Sequence, residues 1–234
     1  MRYDVVYILK NNIQDDELIY SVRSVVKNFP YNKIWFVGGT PEHIVPDHQV
    51  EFHQLGATKY ERARETWKLI CQNDEITESF WLFNDDFFVM DRVADMSPVC
   101  SGSLYRHIEK LKRKHNGSTN YSERLLRTMK ILQKRNYDIL DYELHIPMLI
   151  NRDKGIQILM RYPYEGAFRS LYGNIYYHHA KIEPDVKIVG VDVTPDPDRH
   201  NVFISTSDES FRHGIVGEYI RKKFPEPCKY ETLL

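Results

Sequence analysis

Apolar and polar positions alternate along this chain in two periods. Val5 to Leu9 is a continuous apolar run, which predicts a strand buried on both faces. The polar loop Lys10-Asn11-Asn12 follows it. Leu18, Val22, Val25, Val26 and Phe29 then recur at helical spacing until Pro30, with Asp15 placed to cap the helix and Asp16 and Glu17 in its first turn, where negative charge suits the macrodipole. Lys33 to Val37 predicts a second strand closed by Gly38-Gly39, and Gln49 to His53 a shorter third. Thr58-Lys59-Tyr60-Glu61 has capping-box spacing ahead of a helix whose apolar face is Tyr60, Ala63, Trp67 and Ile70. Phe80 to Met90 is again apolar and aromatic, interrupted only by Asn84-Asp85-Asp86, so that triplet is expected where a buried strand ends.

Beyond this point, Leu104 to Lys114 and Ser122 to Arg135 read as helices, the second with Leu125, Leu126, Met129 and Leu132 as its stripe, joined by a turn at His115-Asn116-Gly117-Ser118. His145 lies in an extended segment ending at Pro147. Phe168 to Asn174 and the aromatic run Ile175 to His179 show little periodicity, which suits a sugar- or base-binding wall, with packing against a helix as the alternative. Val186 to Val191 predicts a strand, and Thr194 to Asp198 a rigid Pro-containing loop. Val202 leads a strand into Ser207 and Asp208, either of which can cap a closing helix around Ile215 to Phe224. Strand and helix in alternation predict an α/β, Rossmann-like fold: a mostly parallel central sheet flanked by helices, with a helical and irregular C-terminal half. One domain over residues 1–234 is expected, in two halves, 1–95 and 96–234.

Composition narrows the class. With 234 residues, 42% hydrophobic and 13% aromatic, the chain can bury a substantial core. Cys71, Cys100 and Cys228 are too scattered for a disulfide framework or a zinc cluster, which suits a reducing compartment. No signal peptide or membrane-spanning run is recognisable, so a cytoplasmic protein is expected. The net charge of −1 conceals an asymmetry: between Arg106 and Arg135 ten Lys/Arg face only Glu109 and Glu123, a local excess of +8. Such a segment can attract a polyanion such as DNA, or be a solvated helix face.

Candidate chemistry centres on the acidic triplet. Adjacent carboxylates at a strand end repel unless a cation or donors hold them, and a hard divalent ion with oxygen ligands, bridging to substrate phosphates, is the simplest resolution. Open α/β sheets bind ligands beyond the carboxyl ends of their strands, which makes Lys10, Asn11, Asn12 and the Gly38-Gly39-Thr40 turn candidate nucleotide contacts. Lys59 and Arg62 oppose the dipole of the helix they begin, so an anion at that N-terminus is expected, or pairing with Glu61 and Glu65. No Walker A or Gly-x-Gly-x-x-Gly pattern is present, which argues against a P-loop enzyme or a typical dinucleotide dehydrogenase. Asp208, Asp141 and Glu143 are base candidates in that order, and His145 has either a functional or a core role. Asp208 and His213 are further candidates for a metal site.

The opening strand, Asp16 to Ser24, Ile34 to Gly39 and Phe83-Asn84-Asp85-Asp86-Phe87-Phe88 together resemble the Stealth-type sugar-phosphate transferases and, more broadly, the nucleotide-sugar glycosyltransferases of the GT-A fold. Leu144-His145-Ile146-Pro147 is a second point of similarity. The resemblance implies a nucleotide-diphosphate sugar donor with its diphosphate on Mn²⁺ or Mg²⁺, and the family's Asp-x-Asp pattern falls on Asn84, Asp85 and Asp86. Asp86 is then the expected direct ligand, joined by Asp85, His145 and His213, and Asn84 departs from the pattern. Transfer to an acceptor hydroxyl, on a saccharide or a modified DNA base, is the reading expected from a chain this short. Sugar-1-phosphate transfer and a non-catalytic nucleotide- or nucleic-acid-binding domain are its alternatives.

Overall fold

The computed structural model describes every residue except Met1, Gln14, Ala57, Asp95, Pro163 to Glu165, Asn201, Leu233 and Leu234. In chain order its elements are β1 (Tyr3–Leu9), α1 (Asp15–Asn28), β2 (Tyr31–Gly38), β3 (His48–Glu51), α2 (Lys59–Gln72), β4 (Ser79–Asn84), β5 (Phe87–Val89) and β6 (Val99–Cys100). The helices α3 (Leu104–Lys114) and α4 (Asn120–Lys134) come next, then β7 (Met148–Asn151), α5 (Arg152–Arg161), α6 (Phe168–Tyr176), β8 (Lys181–Ile182), β9 (Lys187–Ile188), β10 (Phe203–Thr206), α7 (Asp208–His213) and α8 (Ile215–Lys223). They fall into two compact units: Met1–Asp95 with His145–Arg152 and Val186–Leu234, and Met96–Leu144 with Asp153–Asp185. The first unit thus takes in the N-terminal stretch and two later segments of the chain.

The first unit contains a five-stranded sheet in the order β3-β2-β1-β4-β7. Its first four strands are parallel, and β7 adds antiparallel to β4. β1 lies at the centre, and its apolar run is buried on both faces, as are Phe80 to Phe83 of β4. Leu18, Val22 and Val25 of α1 are fully buried, and Phe29 meets Trp81 and Phe83 edge to face. These aromatic pairs add to the area they bury.

After Asn84 the chain leaves this sheet. β5 joins a second sheet, β5-β10-β9, antiparallel to β10. A polar edge of α1 fixes it there: Ser24 Oγ accepts from Val89 N at 2.8 Å, Asn28 Nδ2 donates to Val89 O at 2.7 Å, and Ser21 Oγ donates to Phe87 O. Phe88, Met90, Ile188, Ile204, Phe211, Val216, Ile220 and Phe224 form the apolar cluster of this layer.

Three expectations change in this unit. The predicted Val186–Val191 strand is only Lys187–Ile188, because the chain turns at Gly190, whose φ of +114° ends extended pairing. The closing helix is two: Ser207 caps α7 through a capping box with Ser210, and α8 starts after Gly214, where a Cβ would meet Ser210 O at 2.5 Å. Strand β3 ends at Glu51, and Phe52 N then donates to Gly38 O at 3.1 Å.

The second unit is mainly helical. α3 and α4 form the predicted pair, with Thr119 capping α4 two residues earlier than expected. Phe168 to Tyr176, read from sequence as an irregular aromatic wall, is helix α6, with Phe168, Leu171 and Tyr172 buried. A Cβ at Gly173 would lie 2.4 Å from the Tyr142 ring, so α6 sits flat against that tyrosine. The aromatics here pack a core, which was the plainer of the two sequence readings. Among the described residues no helix is long and apolar enough to cross a membrane.

Candidate active site

The carboxyl ends of the parallel strands bring most of the candidate donor residues to one edge of the first unit. Ile8 pairs with Asn84 and Leu9 with Gly38, so the loops after β1, β2 and β4 are neighbours. Gly38 has φ of +123°, and a Cβ there would meet Leu9 O at 2.1 Å. A Cβ at Gly39 would meet Lys10 O at the same distance. Both glycines are thus required by close backbone approach. Asn11 clamps the loop, its Oδ1 accepting from Gln54 N at 2.8 Å and its Nδ2 donating to Gln54 O at 3.2 Å. Asn12 is exposed.

Asp86 lies in the turn between β4 and β5. Its Oδ2 accepts from the Lys187 ammonium of β9 and from Ser205 Oγ of β10 at 3.0 Å. Its Oδ1 is buried and has no hydrogen-bond partner. Asp85 is half-buried, and burial first, then the charge of Asp86, push its carboxyl up to about 6 against the pull of Lys10. Asp208, at the start of α7, is exposed and loosely paired with Lys10 at 3.6 Å.

Glu17 joins this group from α1. It is only 8% exposed and accepts from Thr206 Oγ1 at 2.8 Å. Burial, followed by repulsion from Asp86, Asp85 and Asp208, pushes its carboxyl up to about 7, although the Thr206 hydroxyl pulls the other way. Glu17, Lys187, Ser205 and Thr206 were not singled out from sequence as site residues. For Glu17 a signal existed: residues 17, 21, 24 and 28 make a polar line at helical spacing beside the apolar stripe of a helix due to be buried. Lys187 carried none, standing 101 residues from Asp86.

The donor set at this edge is all oxygen, which suits Mg²⁺ or Mn²⁺, and Asp86 Oδ1 is an acceptor still lacking a partner. These residues fit a hard cation that takes one or two carboxylates and completes its shell from phosphates and water. The four-ligand set expected from sequence does not assemble: among the described residues no three His, Cys, Asp or Glu side chains converge on a cation position. His213 is exposed at the last residue of α7. His145 lies beside Phe87, ring centroids 6.5 Å apart.

The other candidates have local partners. Thr58 and Glu61 complete the capping box of α2, Arg62 Nη1 donates to Gly56 O at 2.9 Å, and Lys59 lies over the Tyr60 ring. The cations at this N-terminus are therefore engaged by loop and ring rather than by the glutamates proposed as partners.

Asp141 and Glu143 belong to the second unit. Asp141 is 3% exposed and accepts from Ser101 Oγ at 2.6 Å, His107 Nδ1 at 2.7 Å and Glu143 N at 3.1 Å. Burial raises its pKa, but the His107 hydrogen bond and charge, with Ser101 and the Glu143 N–H, outweigh this and hold it below the usual range. Glu143 Oε1 accepts from Ser170 N at 2.9 Å and Ser170 Oγ at 3.0 Å. Both carboxylates hold the second unit together. A carboxylate as saturated and acidic as Asp141 is a poor general base.

No family model matches the sequence, and no curated protein matches it. Solved structures do. The galactosyltransferase LgtC, crystallised with donor and acceptor sugar analogues, superposes with a TM-score of 0.51 at 11% identity, over 99% of this chain and 97% of that one. An active-site mutant of LgtC gives 0.49 at 10% identity, over 99% and 97%. The glycosyltransferase GlyE of Streptococcus pneumoniae TIGR4 in its apo form gives 0.44 at 10%, over 97% and 61%. The likeness to LgtC is one of fold, and it bears out the expected GT-A-type α/β architecture.

Proposed function

We propose that the chain is a glycosyltransferase that moves a sugar from a nucleotide-diphosphate sugar to an acceptor hydroxyl. The observation that supports this most is the Asp85–Asp86 pair at the carboxyl end of β4, next to the β1 and β2 loops, in a fold shared with a galactosyltransferase. Open sheets of this kind bind nucleotides at that edge. Asp86 and Asp85 would hold Mn²⁺ or Mg²⁺. A bound ion supplies Lewis-acid neutralisation of the departing diphosphate.

The chain's own residues do the rest. Lys10 adds positive charge at the same edge, and Gly38 and Gly39 let the β2 loop lie directly against the backbone of the Lys10 loop. Asp208 is exposed and placed near Lys10, which suits a base that takes the acceptor proton. Two stripes at helical spacing in the second unit, Arg106, Lys110 and Arg113 on α3 and Arg127, Lys130 and Lys134 on α4, are exposed. They favour an anionic acceptor, DNA with hydroxylated bases included.

Sugar-1-phosphate transfer is the second reading. His145 lies against Phe87, which joins the two segments that resemble the sugar-phosphate transferases. Product analysis separates the two, a glycoside supporting the first and a phosphodiester the second. The central test is nucleotide release from a panel of nucleotide sugars with Mn²⁺. Turnover should be abolished in a folded Asp86→Ala variant, and undiminished turnover there would refute the reading.

A further inference from the structure

As the side chains stand, Asp86 presents no oxygen that is both unpartnered and open to solvent. Oδ2 is taken by Lys187 and Ser205, and Oδ1 is covered by protein. The lysine can move where the carboxylate cannot. Asp86 is fixed in a tight turn whose backbone carbonyl accepts from Thr206 N at 3.4 Å. Apart from this ion pair Lys187 is anchored through its backbone, in register with Ser205, and its side chain, on a flexible stem, is 22% exposed.

We infer that Lys187 is the resident counter-cation of Asp86, which it must release before Asp86 takes a divalent ion, and that the released ammonium turns to the donor diphosphate. This rests on the metal-dependent reading above. Three consequences follow from charge alone. In the empty protein the ion pair offsets the cost of burying Asp86. It also lowers affinity for a free divalent ion, which must displace a positive charge and then sit near it. When a diphosphate arrives with the ion, its negative charge gives the ammonium a new partner, so ion and donor should bind together more tightly than either alone. Lys187 is thus a positioning residue for Asp86.

The test is Mn²⁺ titration of the nucleotide-free protein, reading free Mn²⁺ by electron paramagnetic resonance, on wild type, Lys187→Met and Lys187→Gln. Gln keeps a hydrogen-bond donor for Asp86 if Met compromises folding. Both neutral variants should bind Mn²⁺ about tenfold more tightly than wild type, while donor turnover falls. Lys187→Arg should restore weak Mn²⁺ binding. A lysine with a merely structural role would not tighten Mn²⁺ binding when lost.

Equal or weaker Mn²⁺ binding by the folded neutral variants overturns the inference. The metal reading survives that result if Asp86→Asn removes Mn²⁺ binding from the wild-type background. If no variant binds Mn²⁺ and turnover withstands chelation, both fall together.

Discussion

Asp141 and Glu17 are both buried carboxylates, one in each compact unit, and their surroundings push them in opposite directions. Asp141 has three donors and an imidazole, and its pKa is held down. Glu17 has one hydroxyl donor and three acidic neighbours, and its pKa is pushed up to about 7. The first arrangement is that of a group that stabilises a fold. The second keeps negative charge concentrated where a cation would relieve it, a common property of functional sites.

Four substitutions sharpen or break this contrast. Asp141→Ala should cost about 4 kcal/mol of unfolding free energy at neutral pH, because it strands His107 and Ser101 in a buried network. Urea denaturation measures this, and the stability supplied by Asp141 is present at neutral pH and lost on acidification through its depressed pKa. A smaller loss than that from Glu17→Ala would reverse the assignment of roles.

Glu17→Gln should instead stabilise. A carboxyl that titrates near 7 in the folded protein and near 4.5 when unfolded is ionised at the expense of the fold. The gain is therefore greatest above pH 7, up to about 3 kcal/mol, and fades as pH falls towards 4.5. Melting temperature against pH for the two proteins reads this directly.

Asp85→Asn should lower donor turnover by about a hundredfold with stability unchanged or improved, as shown by steady-state kinetics beside a thermal melt. A proportional loss of both would make Asp85 a structural residue like Asp141. The smallest effect belongs to the capping box of α2, away from both clusters: Thr58→Ala should cost about 1 kcal/mol with kinetics unaltered.

Much of the scaffold was legible because local rules sufficed. The apolar run of β1, the stripe of α1 ended by Pro30, the capping box at Thr58 and the end of β4 at Asn84 each follow from a short window. The aromatic segment at Phe168 was not legible: its helix has no side-chain cap and is secured by packing on Tyr142, which no local pattern reveals. Likewise, nothing within α7 and α8 themselves marks the split at Gly214 as more than a loop glycine.

Sequence alone determined that this protein has a parallel α/β core and that two carboxylates stand at the end of its aromatic strand β4, since hydrophobic period and turn chemistry are properties of neighbouring residues. Tertiary structure decided which charges those carboxylates meet. Lys187 reaches Asp86 because β9 and β10 pair in register beside β5, and Glu17 meets Thr206 because α1 packs against the same layer. Electrostatic partnership depends on distance in space, and strand pairing across more than a hundred residues sets that distance.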